Sequence, residues 1–107
     1  MESEFKYVTV YTTFPEKEEA KKIARIVISE QLAACANLVD KMESIYVWKD
    51  EIEESNEVIC LFKTTKEKSE PLMQRIKENH SYETPCIVVW PILSGDVDYL
   101  DWIRKSL

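Results

Sequence analysis

A single glycine, Gly95, occurs in 107 residues. The Walker phosphate loop and the dinucleotide fingerprint both need several glycines for close backbone approach to phosphate, so nucleotide hydrolysis and nicotinamide chemistry are disfavoured. Histidine also occurs once, at His80, and no serine stands in a recognisable nucleophile turn. The set of nucleophile, base and orienting group that an enzyme needs is therefore missing, and a non-enzymatic role is expected. The three cysteines, Cys35, Cys60 and Cys86, contain no C-x-x-C pair and sit among apolar neighbours. Reduced packing thiols are expected, not a disulfide scaffold or a compact zinc site. Positive charge is scarce: 14 basic against 20 acidic side chains give a net charge of -6. That sign repels phosphate backbones and disfavours a nucleic-acid partner. Apolar runs such as Cys86 to Trp90 fall far short of the roughly 20 residues of a membrane-spanning helix, so no membrane partner is expected. The start, Met1-Glu2-Ser3-Glu4, lacks the basic and apolar stretches of a signal peptide, which makes the cytoplasm the expected compartment.

What is present fits one domain over residues 1–107, since two cores in a chain of this length would each be too small to stand alone. Val8 and Val10 alternate with Tyr7, Thr9 and Tyr11, the two-residue period of a first strand. Thr13 and Glu16 form a candidate capping box with Pro15 in the first turn, ahead of Ala20, Ile23, Ala24 and Val27 at helical spacing. This first helix is expected to end near Gln31. Segments 34–38, 44–49 and 57–64 are apolar, aromatic or β-branched and predict a long second strand and a third, with a hairpin tip inside the polar run 49–56. Leu72, Met73 and Ile76 mark a second helix in 65–79. Two starts are compatible with Pro71: an early one that leaves proline near the first turns, or a shorter helix capped by Ser69. The run 85–93 predicts a fourth strand, with Pro91 marking a bulge or an edge. Asp96 and Asp98 open a short terminal helix that Arg104 and Lys105 close.

The order β-α-β-β-α-β plus a terminal helix is the α+β, ferredoxin-like arrangement, an antiparallel sheet with both main helices on one face. Yet the second, third and fourth strands are apolar on both parities: Ile45 and Val47 against Tyr46 and Trp48, Val58 and Cys60 against Ile59 and Leu61, Ile87 and Val89 against Val88 and Trp90. A lone subunit would leave a wet hydrophobic face. Covering about 1,000 Å² of it is worth on the order of 25 kcal/mol before ordering costs. Self-association is expected; the alternatives are that the terminal helix folds over that face or that another partner does.

Five segments taken in order, Leu32-Ala33-Ala34-Cys35-Ala36-Asn37-Leu38, Ser44-Ile45-Tyr46-Val47-Trp48-Lys49, Phe62-Lys63-Thr64, His80-Ser81-Tyr82-Glu83-Thr84-Pro85 and Tyr99-Leu100-Asp101-Trp102-Ile103, resemble the CutA divalent-cation tolerance family over nearly the whole chain. The resemblance implies a ferredoxin-like subunit in a tight homotrimer. It also implies a part in tolerance to copper and other divalent ions, and no established reaction. Three positions depart from the family's usual pattern: Asp50 replaces a glycine after Trp-Lys, Ser81 a proline, and Cys86 a glutamate.

His80, Tyr82, Glu83 and Cys86 share a seven-residue window. Imidazole, carboxylate and thiolate there are candidate ligands for copper or another divalent cation, bound weakly, with Cys86 favouring soft or borderline ions. Against this stands His80 as a helix-terminating residue that hydrogen-bonds the last carbonyls. Cys35 matches the family's usual cysteine and reads as a packing thiol or a metal or redox group. Lys63 and Glu57 flank the core of the third strand, and Trp48 and Tyr82 match family positions where polar tips and aromatic rings line a cleft between subunits; the alternative is an interfacial salt bridge and aromatic packing.

Overall fold

Strand β1, Tyr7–Phe14, buries Val8, Val10, Thr12 and Phe14 on one face, as its alternation requires. The computed structural model describes residues 5–107; segment 1–4, on which the compartment expectation rests, lies outside the described residues. Helix α1, Lys17–Ser29, lays Ala20, Ile23, Ala24 and Val27 against that face. The capping box does not form, because Thr13 continues β1 opposite Ile59, and Glu16 takes the N-cap position without a side-chain bond. The helix ends where Gln31 turns left-handed, with φ 60. There the N–H groups of Gln31 and Leu32 donate to the carbonyls of Ile28 and Val27, closing the helix with the pair of bonds that glycine usually supports.

The chain returns as β2, Cys35–Trp48, and β3, Glu51–Thr65. Their tip is only Lys49 and Asp50, with φ 51 and 68, the doubly left-handed turn that suits the twist of a hairpin. Asp50 thus adopts the conformation that a glycine would adopt freely. The polar run 51–56 is strand and not turn: it forms an arm beyond the helices, where both faces stay wet and burial does not demand apolar residues. A one-residue bulge interrupts the β2–β3 ladder between Val39 and Met42. It inverts the parity of β2, so that Cys35 and Asn37 share the sheet face that Met42, Tyr46 and Trp48 share further along.

Helix α2, Lys66–Asn79, starts early and holds Pro71 inside it. Ser69 is no cap; its hydroxyl donates to the Lys66 carbonyl within the helix. Leu72 and Ile76 are buried beside α1, and Arg75 donates two 2.8 Å hydrogen bonds to the Glu30 carboxylate across the helix pair. Strand β4, Ile87–Ile92, pairs only with β1 and forms one edge, where Pro91 costs no ladder bond to a further strand. The sheet is antiparallel with order β2-β3-β1-β4, and its core lies between α1, α2 and the face carrying Val10, Cys60 and Phe62.

Helix α3, Val97–Lys105, is opened by Asp96, whose side chain accepts the Tyr99 N–H at 3.0 Å. It lies on the opposite sheet face: the Tyr99 hydroxyl is 3.6 Å from Cys35 Sγ. The terminal helix therefore covers one end of the second face. Val88 and Trp90 beside it, and Ile45, Val47 and Ile52 on the arm, remain exposed.

Candidate functional site

The second sheet face opens, away from α3, into a cleft of about 910 Å³. Four elements frame it, β3 contributing Glu57. β1 supplies Tyr11 and Thr13, the arm of β2 supplies Met42, Tyr46 and Trp48, and loop 80–86 supplies Tyr82, Glu83 and Cys86. The bulge is what brings Met42 directly opposite Glu57 in the ladder. The Tyr11 hydroxyl reaches the Met42 thioether at 3.7 Å, while the Tyr11 ring stacks on Trp90 with centroids 5.0 Å apart.

Glu57 is the most buried charged residue lining the cleft, only 8% exposed. Its Oε2 accepts the Tyr82 hydroxyl at 2.9 Å. Among the described residues no ion pair reaches Glu57 and no donor reaches its Oε1. Glu57 leaves its mark on its neighbours: burial first, and then its hydrogen bond and charge, hold the Tyr82 phenol well above the usual range. Burial with the same negative charge nearby raises the Cys86 thiol, and burial with Cys86 and Glu57 raises Tyr11.

His80 does not line the cleft. Its side chain has 0% exposure and stacks on Phe14 at a centroid distance of 4.6 Å. Nε2 lies 2.7 Å from the Thr13 carbonyl, and Nδ1 accepts the Tyr82 N–H at 3.0 Å. A carbonyl can only accept, so the hydrogen-bond pattern assigns the Nε2–H tautomer and leaves neither nitrogen for an ion. The residue does terminate α2, its backbone N–H donating to the Lys77 carbonyl at 3.4 Å, while its ring bonds β1 and its own loop. Glu19 secures the same loop by accepting the Ser81 N–H at 2.9 Å, a bond that a proline at this position could not make. His80 is thus a positioning residue that aims Tyr82 at Glu57.

Of the residues singled out from the sequence, Trp48, Glu57, Tyr82, Glu83 and Cys86 meet in the cleft. Lys63 and Cys35 lie elsewhere, opposite one another in the β2–β3 ladder near α3, where Lys63 Nζ donates to Asn37 Oδ1 at 2.8 Å. Among the described residues no three His, Cys, Asp or Glu side chains gather closely enough to hold a metal ion, so the window from His80 to Cys86 does not fit a closed coordination site within one subunit. Tyr11, Met42 and Tyr46 were not singled out. Tyr11 was legible from the alternation of β1, whereas Met42 and Tyr46 depend on a bulge at Asp40 and Lys41 that carries no glycine signal.

Comparison with known proteins places this geometry. The family described as CutA1 divalent ion tolerance protein matches residues 8–106. The divalent-cation tolerance protein CutA of Thermus thermophilus is 42% identical over 97 residues, covering 91% of this chain and 94% of that protein. The chloroplastic protein CutA of Arabidopsis thaliana is 36% identical over 99 residues, covering 92% of this chain. This chain spans only 54% of the length of that plant relative. The crystal structure of the divalent ion tolerance protein CutA1 from Ehrlichia chaffeensis superposes with a TM-score of 0.91 at 31% identity, covering 97% of both chains. The chain belongs to the CutA1 divalent ion tolerance protein family.

Proposed function

We propose that this chain is the subunit of a ferredoxin-like homotrimer that serves divalent-cation tolerance without catalysing a reaction. In this reading copper or another divalent ion meets the protein weakly at the cleft rim. The observation that carries the reading is the acidity of the cleft: among the described residues Glu43, Glu57 and Glu83 line it and no basic residue does. Such a field concentrates divalent cations without building a coordination shell. Glu83 and Cys86 are exposed there, and a thiol beside carboxylates shifts preference toward Cu(I) or Zn(II). The Thermus relative's name supports the tolerance role. The exposed apolar residues of the arm and of β4 support assembly from several copies. Those same residues favour a second reading, an oligomeric scaffold that presents a rigid surface to a protein partner and for which ion binding is incidental.

Calorimetric titration of Cu(II), Cu(I) and Zn(II) separates the two readings. Weak saturable binding that Cys86→Ser or Glu83→Gln diminishes is expected. The His80→Ala variant should lose stability, by about 3 kcal/mol for a stacked and doubly bonded buried ring, without a separate loss of ion affinity. Ion affinities unchanged in both rim variants would remove the cleft rim from the tolerance function and favour the scaffold.

A further inference from the structure

We infer that the inner end of the cleft binds a small organic cation, with a primary ammonium group seated on Glu57. The inference goes beyond metal tolerance and does not depend on it.

Three observations converge. The first is charge. Glu57, a residue 8% exposed, has one phenolic donor and no cation among the described residues, so its carboxylate has lost water contacts that a single hydrogen bond replaces only in part. Thr12 Oγ1 is the one fully enclosed side-chain oxygen without a partner among the described residues, so the undonated Oε1 of Glu57 still communicates with the cleft. It is an acceptor awaiting a charged donor.

The second observation is size. A bare ion itself fills no more space than a water molecule, about 30 Å³. The cleft measures about 910 Å³, within the range of sites for organic ligands. The third is the wall. Tyr11 and Tyr82 flank the carboxylate, and Tyr46 and Trp48 continue the aromatic wall along the arm; aromatic faces attract ammonium groups and pack against an alkyl chain. The arm already displays this chemistry at its mouth, where Lys49 Nζ lies 5.7 Å from the centroid of the Trp48 ring. Buried carboxylate, aromatic walls and the absence of basic lining fit an alkylammonium better than an anion or a neutral ligand.

The test titrates the assembled protein with n-butylammonium chloride in the presence of EDTA, read by calorimetry and by tryptophan fluorescence, with 1-butanol as the uncharged isostere. Saturable binding of butylammonium is expected, at least tenfold tighter than butanol. Glu57→Gln, whose amide oxygen can still accept the Tyr82 hydroxyl, should weaken the amine at least tenfold and leave butanol unchanged. Equal binding of the two probes, or equal affinity of wild type and Glu57→Gln for the amine, would overturn the inference. So would a structure of the assembly in which a basic side chain of a neighbouring copy sits on Glu57. Should Glu57→Gln fail to fold, the comparison of amine with alcohol on the wild type decides alone. The double variant Glu83→Gln/Cys86→Ser keeps the two proposals apart: it should still bind butylammonium at least tenfold tighter than butanol, whatever becomes of its response to Zn(II).

Discussion

Thr12 sits with 0% exposure on the core face of β1, and its hydroxyl finds no partner. An enclosed, unsatisfied hydroxyl costs roughly 1–3 kcal/mol, and valine has nearly the same shape. Thr12→Val should therefore stabilise the protein by about 1 kcal/mol or more in denaturant unfolding; a loss of stability would mean that the hydroxyl is bonded after all. Cys60 makes the corresponding statement about protons. Burial, with Cys35 nearby, pushes its thiol from 9.0 up to about 12, and the Tyr82 phenol shifts in the same direction. The folded protein thus holds protons that the unfolded chain releases. Stability from Cys60 is complete below pH 9.0 and declines as pH rises toward about 12. Thermal melts across that window should show the decline, and Cys60→Ala should flatten it; identical slopes would contradict the assignment. Composition could place Cys60 in the core, but it could not reveal that His80 spends both nitrogens on backbone groups, since its partner Thr13 lies 67 residues away in sequence.

The elements are shaped by the scarcity of glycine. Gln31, Lys41, Lys49 and Asp50 all adopt positive φ, whereas Gly95, the one glycine, does not. A side chain in the left-handed region costs roughly 1–2 kcal/mol, part of which glycine returns through its larger entropy loss on folding. Gln31→Gly should accordingly raise stability by about 0.5–1 kcal/mol, measured by urea unfolding. A decrease would show that the Gln31 side chain contributes more than the backbone strain removes. The same scarcity explains what the sequence left unreadable. Periodicity placed four strands and three helices in their order because Val8, Val10, Ile23, Val27, Leu72 and Ile76 repeat at the spacing of their elements. The tip lies inside the expected run 49–56, but its position at Lys49 and Asp50, like the bulge beside Lys41, was hidden, because lysine, which does not favour turns, occupies left-handed positions at both sites. The bulge decides which side of β2 faces Glu57, so the aromatic half of the cleft was hidden with it.

At the scale of the molecule, two main helices cover one sheet face and α3 covers one end of the other. Ile45, Val47 and Ile52 stand 71%, 70% and 76% exposed on an arm that no helix of the subunit reaches, and Trp90 is 48% exposed on the edge strand β4. An exposed apolar arm and an open sheet edge are features that association removes. Both the ion reading and the organic-cation reading concern a cleft that borders this uncovered surface, so the identity of its second wall is decided by assembly. Analytical ultracentrifugation at two protein concentrations measures that directly. A particle of three times the 12.6 kDa subunit mass, persisting on dilution, is the expected result; a stable, compact species of 12.6 kDa at both concentrations would contradict it.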